Sequence, residues 1–193
     1  KLMAMLKDLR RSQAQKLKLQ PWVLFGDPSL EEMTMRYPVT IEELTQITGV
    51  GPGKAQKYGK PFVELIKRYV EENEIERAEE VVVRSVVNKS GNKVHIIQNI
   101  DKRLSLTSIA RSRNLSLADL ISELESIVMS GTRLDISYHL DESMDPDLQE
   151  EIMDYFREAE NDSLEAMLEE FGRDVSEEDL RLMRIRFLSE VAN

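Results

Sequence analysis

Punctuation by proline and glycine holds the first 72 residues to short helices, because proline lacks the amide a helix interior needs and glycine weakens the segment it sits in. The opening segment places Leu2, Leu6, Leu9, Gln13 and Leu17 near one face, with Lys7, Arg10, Arg11 and Lys18 elsewhere, an amphipathic helix by spacing. Gln20-Pro21 stops it. Ser29 with Glu32 and Thr40 with Glu43 have capping-box spacing, in which the hydroxyl satisfies an orphan amide and the carboxylate reaches back. Pro38 separates the two helices they open. Beyond Ile47, the run GVGPGKAQKYGKPF turns tightly at Gly49, Gly51 and Gly53 and breaks again at Gly59-Lys60-Pro61, before a last helix through Phe62, Leu65, Ile66 and Tyr69. Residues 1–72 therefore read as a compact bundle of about five short helices.

Residues 73–93 change character: acidic residues, then VVVRSVV, then NKSGN with turn chemistry. They read as a linker with some ordered content, the apolar run fitting a strand or a buried helical turn equally. Residues 94–140 begin with a helix through Val94, Ile96, Ile97 and Ile100. LSLTSIARSRNLSLADLISELESIVMSG follows, two helices capped by Ser105 and Ser116, split at RSRN and closed by Gly131, and then a β-prone TRLDISYHL. That order fits a winged helix-turn-helix, and also a small three-helix fold that never meets DNA. Residues 141–193 form an acidic tail of three helical segments, with Ser163 and Ser176 as N-caps and Arg181, Arg184 and Arg186 late in the last, the end a helix dipole favours for cations. The fold class is mainly α: a five-helix bundle, a winged helix-turn-helix-like domain with a small β element, and a C-terminal helical tail.

Charge divides the chain by function. The net charge of −10 is the sum of +5 over residues 1–70 (12 Lys+Arg, 7 Asp+Glu), −2 over 71–140 (9 and 11) and −13 over 141–193 (5 and 18). A basic block can neutralise phosphates; an acidic block repels them and suits a basic protein partner or the chain's own basic surface. The absence of cysteine excludes disulfides, thiolate zinc sites and cysteine nucleophiles, and fits a cytoplasmic protein. The two histidines, His95 and His139, have no second imidazole at metal-binding spacing and read as packing or surface residues. Apolar runs such as Val81–Val83 are far shorter than the roughly 20 residues a membrane span needs. With no leading Met and no signal-peptide pattern, the sequence reads as a piece of a longer chain.

GVGPGK fails as a phosphate loop of the Walker type: only three residues separate Gly49 from Gly53, and Ala55 follows Lys54 where a metal-holding hydroxyl is needed. Two readings remain for it. In one, Gly51 and Gly53 let a DNA backbone approach amides at a helix start; in the other, they only cap and start helices. Lys54, Lys57 and Lys60 surround the turn with Tyr58 among them, and Lys16 and Lys18 precede Trp22. Lysines with an exposed ring suit sequence-tolerant single-strand binding, whereas Trp22 within WVLF also fits a core and surface lysines also fit simple solvation.

The pieces LKDLR, PWVLFGDPSLEEM, RYPVTIEEL and GVGPGKAQKYGKPFVELI together resemble the helicase-and-RNase-D C-terminal domain, a five-helix module covering about a third of the chain. The resemblance implies an auxiliary nucleic-acid binder in which Trp22, where family members often carry Tyr, and Lys54, Lys57 and Lys60 are candidate contacts. The run NKSGNKVHIIQNIDKRLSLTSIARSRNLSLADLISELESIVMSG resembles the helix-turn-helix region appended to some bacterial RecQ helicases, whereas RNase D repeats its helical module. Arg111, Arg113 and Lys102 are the cations near that turn. The expectation is a non-catalytic DNA-binding region of a RecQ-type helicase, nucleoid-associated in a bacterial cytoplasm. It would bind single-stranded or partly duplex DNA, with no cofactor of its own. ATP and Mg belong to a motor N-terminal to Lys1. The alternative is a protein-interaction or autoinhibitory module whose acidic tail masks the basic surface.

Overall fold

The computed structural model describes residues 1–77 and 89–192, so the VVVRSVV run lies outside the described residues. Two compact units emerge: residues 1–77 with 129–131, and residues 89–128 with 132–192. Among the described residues there is no strand, and no helix is long and apolar enough to cross a membrane.

The first unit contains α1 (Leu2–Leu17), α2 (Pro21–Leu24), α3 (Asp27–Arg36), α4 (Ile41–Leu44), α5 (Pro52–Tyr58) and α6 (Lys60–Glu72). α1 packs on α2, α3 and α6, and α5 on α4 and α6. The core gathers Leu6, Leu24, Phe25, Leu30, Met33, Leu44, Phe62 and Ile66. Phe25 sits at its centre, edge-on to Phe62 at 4.9 Å and to Tyr58 at 6.3 Å, the geometry that aromatic quadrupoles favour.

Two local expectations are corrected here. Leu17 is exposed although its helical phase matches the stripe, because it is the last residue of α1 and the chain turns away at left-handed Lys18. The stripe runs through Leu2, Leu6, half-buried Arg10 and Ala14; Arg10 tolerates this by donating to the Phe25 carbonyl at 2.9 Å and pairing with Asp27 at 2.8 Å. Ser29 and Glu32 do not cap α3, whose N-cap is Gly26. They hold the following loop: Ser29 Oγ donates to the Thr48 carbonyl at 2.7 Å, and the Thr48 amide donates to Glu32 at 2.8 Å. Thr40 does cap α4, accepting from the Glu43 amide at 3.1 Å, while Glu43 reaches back to the Val39 amide at 3.0 Å.

The second unit contains α7 (Lys89–Asp101), α8 (Leu106–Ser112), α9 (Leu117–Met129), α10 (Ser137–Ser143), α11 (Pro146–Glu158), α12 (Leu164–Phe171) and α13 (Glu177–Val191). Helix α7 begins inside NKSGN, which therefore is not a turn throughout. Ser105, Ser116, Ser163 and Ser176 all accept from an amide three residues on, as N-caps do. The segment expected as β is irregular and leads into α10: the Leu134 amide donates to Ser189 Oγ at 3.1 Å, and Asp135 accepts from Ser137. A wing needs a partner strand, and this backbone spends its amide on a helix side chain instead.

Helix α13 organises the unit. Leu180, Leu182, Met183, Ile185, Phe187 and Leu188 are buried around most of its circumference, and α10, α11 and α12 all pack on it. Phe156 stacks on Phe187 at 5.3 Å. Buried Gln149 donates to the carbonyls of Leu140 and Met144 and accepts from Arg186 at 2.6 Å. Residues 132–192 thus fold together with residues 89–128 as one compact unit.

Candidate nucleic-acid interface

In the first unit the structure separates the candidate contacts into two groups. Lys16 and Lys18 are exposed at the end of α1, where Lys18 takes a left-handed conformation (φ 57°) that closes the helix. Lys57 and Lys60 are exposed where α5 meets α6 at Gly59, and Lys57 Nζ lies 5.5 Å from the centroid of the Tyr58 ring. The other group is withdrawn from solvent: Trp22 is 7% exposed, Lys54 1% and Tyr58 5%. Burial also pushes the Tyr58 hydroxyl above its ordinary pKa, as desolvation of a phenolate requires. The sequence expectation of an exposed ring beside the lysines is therefore corrected, because the apolar faces that form this unit claim both aromatics. Gly51 is buried and Gly53 exposed at the start of α5, a helix of only seven residues.

Several other cations of this unit are held by carboxylates. Arg10 pairs with Asp27, Arg36 with Glu32 at 3.5 Å, and Arg77 with Glu43 at 2.5 Å. In the second unit Lys102, Arg103, Arg111 and Arg113 are exposed around α8, and Asn114 (φ 55°) makes the turn into α9. His95 bonds Ser112 Oγ at 3.0 Å, joining α7 to α8.

Residues 1–66 match the model of the HRDC domain, and residues 90–140 that of the RecQ-1-like helix-turn-helix domain. The chain pairs an HRDC domain with a RecQ-1-like helix-turn-helix domain. It is similar to the ATP-dependent DNA helicase RecQ of Haemophilus influenzae, 38% identical over 68 residues, covering 35% of this chain and 11% of that protein. Its likeness to the Bacillus subtilis protein of the same name is 39% over 64 residues, 33% and 11% of the two chains. A longer match, 27% over 170 residues, takes in 81% of this chain and 12% of the mouse bifunctional 3'-5' exonuclease/ATP-dependent helicase WRN. The chain spans about a ninth of the length of the bacterial relatives it matches.

Within the helix-turn-helix domain, α9 occupies the place of the helix that DNA-reading members of the motif insert into the major groove. Its exposed positions are Ala118, Asp119, Ser122, Glu123 and Ser126, and the helix contains no lysine or arginine. Glu125, one turn further round, is held by Arg181 and, at 2.5 Å, by Arg184; Arg181 also donates to Ser122 Oγ at 3.0 Å. Asp119 and Glu123 carry the same sign of charge as phosphates, and α9 itself supplies no cation to meet them. Arg181, Arg184 and Arg186, which sequence reasoning placed at a favourable helix end, are internal struts. The signal available was the apolar residue on both sides of each arginine in LRLMRIRFL, which marks a helix enclosed all round.

Proposed function

We propose that this chain is the auxiliary DNA-binding, substrate-orienting C-terminal region of a RecQ-type ATP-dependent 3'-5' DNA helicase that acts in repair and recombination. ATP and Mg are used by motor domains N-terminal to Lys1, in a bacterial cytoplasm and on the nucleoid. The observation that carries this reading is the pair of exposed lysine couples, Lys16 with Lys18 and Lys57 with Lys60, on an HRDC domain. With Trp22 and Tyr58 buried, the binding is electrostatic: lysines meet phosphates of single-stranded or partly duplex DNA, with little base stacking. A Cβ at Gly53 would lie 2.6 Å from the Gly131 carbonyl, so that glycine admits the chain's own backbone and not a DNA strand, while Arg111 and Arg113 add peripheral phosphate contacts beside α9.

The test is fluorescence anisotropy of a labelled single-stranded oligonucleotide at several salt concentrations. K16E/K18E and K57E/K60E each weaken binding, and the salt slope flattens by about 0.7 for every phosphate that is no longer neutralised. Lys54→Gln leaves the slope unchanged, since that side chain is buried. Binding that ignores both exposed pairs refutes the surface.

A further inference from the structure

The most acidic segment of the chain contains an open groove. Between α11 and α12 a groove of about 510 Å3 is lined by Glu151, Asp154, Tyr155, Glu158, Glu170 and Phe171, together with Arg157. One wall is aromatic: the Tyr155 ring meets Phe171 edge-on at 5.5 Å and Phe156 at 5.7 Å. Phe171 is buried, and Tyr155 remains partly open to the groove. The Tyr155 hydroxyl is pushed above its ordinary pKa by burial first, and then by Glu170 and Glu169, so the ring stays neutral and faces a negative field.

The charges of this unit are sorted between inside and outside. The cations of α13 are turned inward, Arg181 and Arg184 to Glu125 and Arg186 to Gln149 and Glu190. Among the described residues, Glu151, Glu158 and Glu170 make no ion pair. Within the lining Asp154 already holds a guanidinium, that of Arg157, which also pairs with Glu150 outside the groove at 3.1 Å.

We infer that this groove docks an arginine- or lysine-rich segment of a partner protein. A guanidinium entering it stacks on the Tyr155 face and takes Glu151, Glu158 or Glu170 as its carboxylate fork, a combination of cation–π contact and charge-assisted hydrogen bonds. Nucleic acid is repelled by the same carboxylates, and a wholly apolar segment would leave them desolvated without partners. The inference stands apart from the DNA-binding reading, which rests on lysines of the HRDC domain.

The experiment titrates the full chain into a fluorescein-labelled peptide of alternating arginine and glycine, with an alternating glutamate–glycine peptide as control, and follows anisotropy. The arginine peptide binds, and binding weakens as salt rises. E151Q/E158Q/E170Q loses about tenfold in affinity or more, as removal of partners from paired charges does. Y155A also weakens it. E142Q/E160Q/E165Q, which removes the same charge outside the groove, binds as the unaltered chain does. Absence of binding at low salt overturns the inference, and so does equal loss from the two charge-matched triples, since net charge alone would then account for the attraction. Circular dichroism confirms that each variant is folded.

Discussion

Replacing Glu125 by alanine tests the claim that α13 is fastened to the helix-turn-helix domain by charge. One carboxylate there serves two guanidiniums, with Arg181 17%, Arg184 15% and Glu125 23% exposed at their side chains. Removing one partner of a fully buried pair costs about 3–5 kcal/mol, whereas exposed pairs are worth roughly 0–1 kcal/mol. This site lies between those limits. It is also cushioned, because Arg184 keeps its bond to the Asp162 carbonyl at 2.6 Å and Arg181 its bond to Ser122. A loss of about 2 kcal/mol follows, which for a unit of roughly 100 residues lowers Tm by roughly 8–16 °C. Urea denaturation followed by circular dichroism, together with a thermal melt, measures it. E125Q loses less than E125A because an amide oxygen still accepts, and R181A loses less because Arg184 retains the carboxylate. A destabilisation below about 0.5 kcal/mol for E125A, the range of ordinary surface substitutions, would refute the fastening argument.

Three other outcomes follow from the structure. Trp22 is the chain's one tryptophan and is buried, so its emission is blue-shifted, poorly quenched by iodide and unaltered by single-stranded DNA; quenching by DNA would return the indole to the interface. Gly49→Ala destabilises the first unit by about 1–2 kcal/mol in urea melts, since φ is +82° there and a Cβ would lie 2.9 Å from Ser29 Oγ. The Asp135 carboxyl is held below the ordinary range by hydrogen bonds from the Ser137 hydroxyl and amide, with Arg103 and Arg133 adding to them. Its folded-state pKa being depressed, the stabilisation is present above the unfolded pKa and lost as pH falls through the folded one; D135N is therefore less stable than the parent at neutral pH, and the gap between their urea midpoints closes in acid.

The helices and their caps were legible in the sequence because capping is local: hydroxyl and amide lie three residues apart, as at Thr40, Ser105, Ser116, Ser163 and Ser176. Ser29 and Glu32 carry the same spacing, yet bond a loop sixteen to nineteen residues away, a choice that only the folded chain makes. The candidate interface was less legible for a related reason. Residue type nominated Lys54 and Lys57 equally, but helical phase buries one and exposes the other. Trp22 and Tyr58 followed the general pull of aromatic area toward the interior. The apparent acidic tail misled most, because an average over its residues conceals that the carboxylates lie outward while α13 is apolar nearly all round.

The bond from the Leu134 amide to Ser189 has a bearing on how this polypeptide can be dissected. A gene cut after codon 140, where the helix-turn-helix match ends, would leave that amide without its acceptor and the α9 carboxylate without its two arginine clasps. The excised piece would be a sheath lacking its rod. Expression trials or domain transplants that keep residues 132–192 with the helix-turn-helix segment should recover a cooperative unfolding transition that the shorter piece lacks.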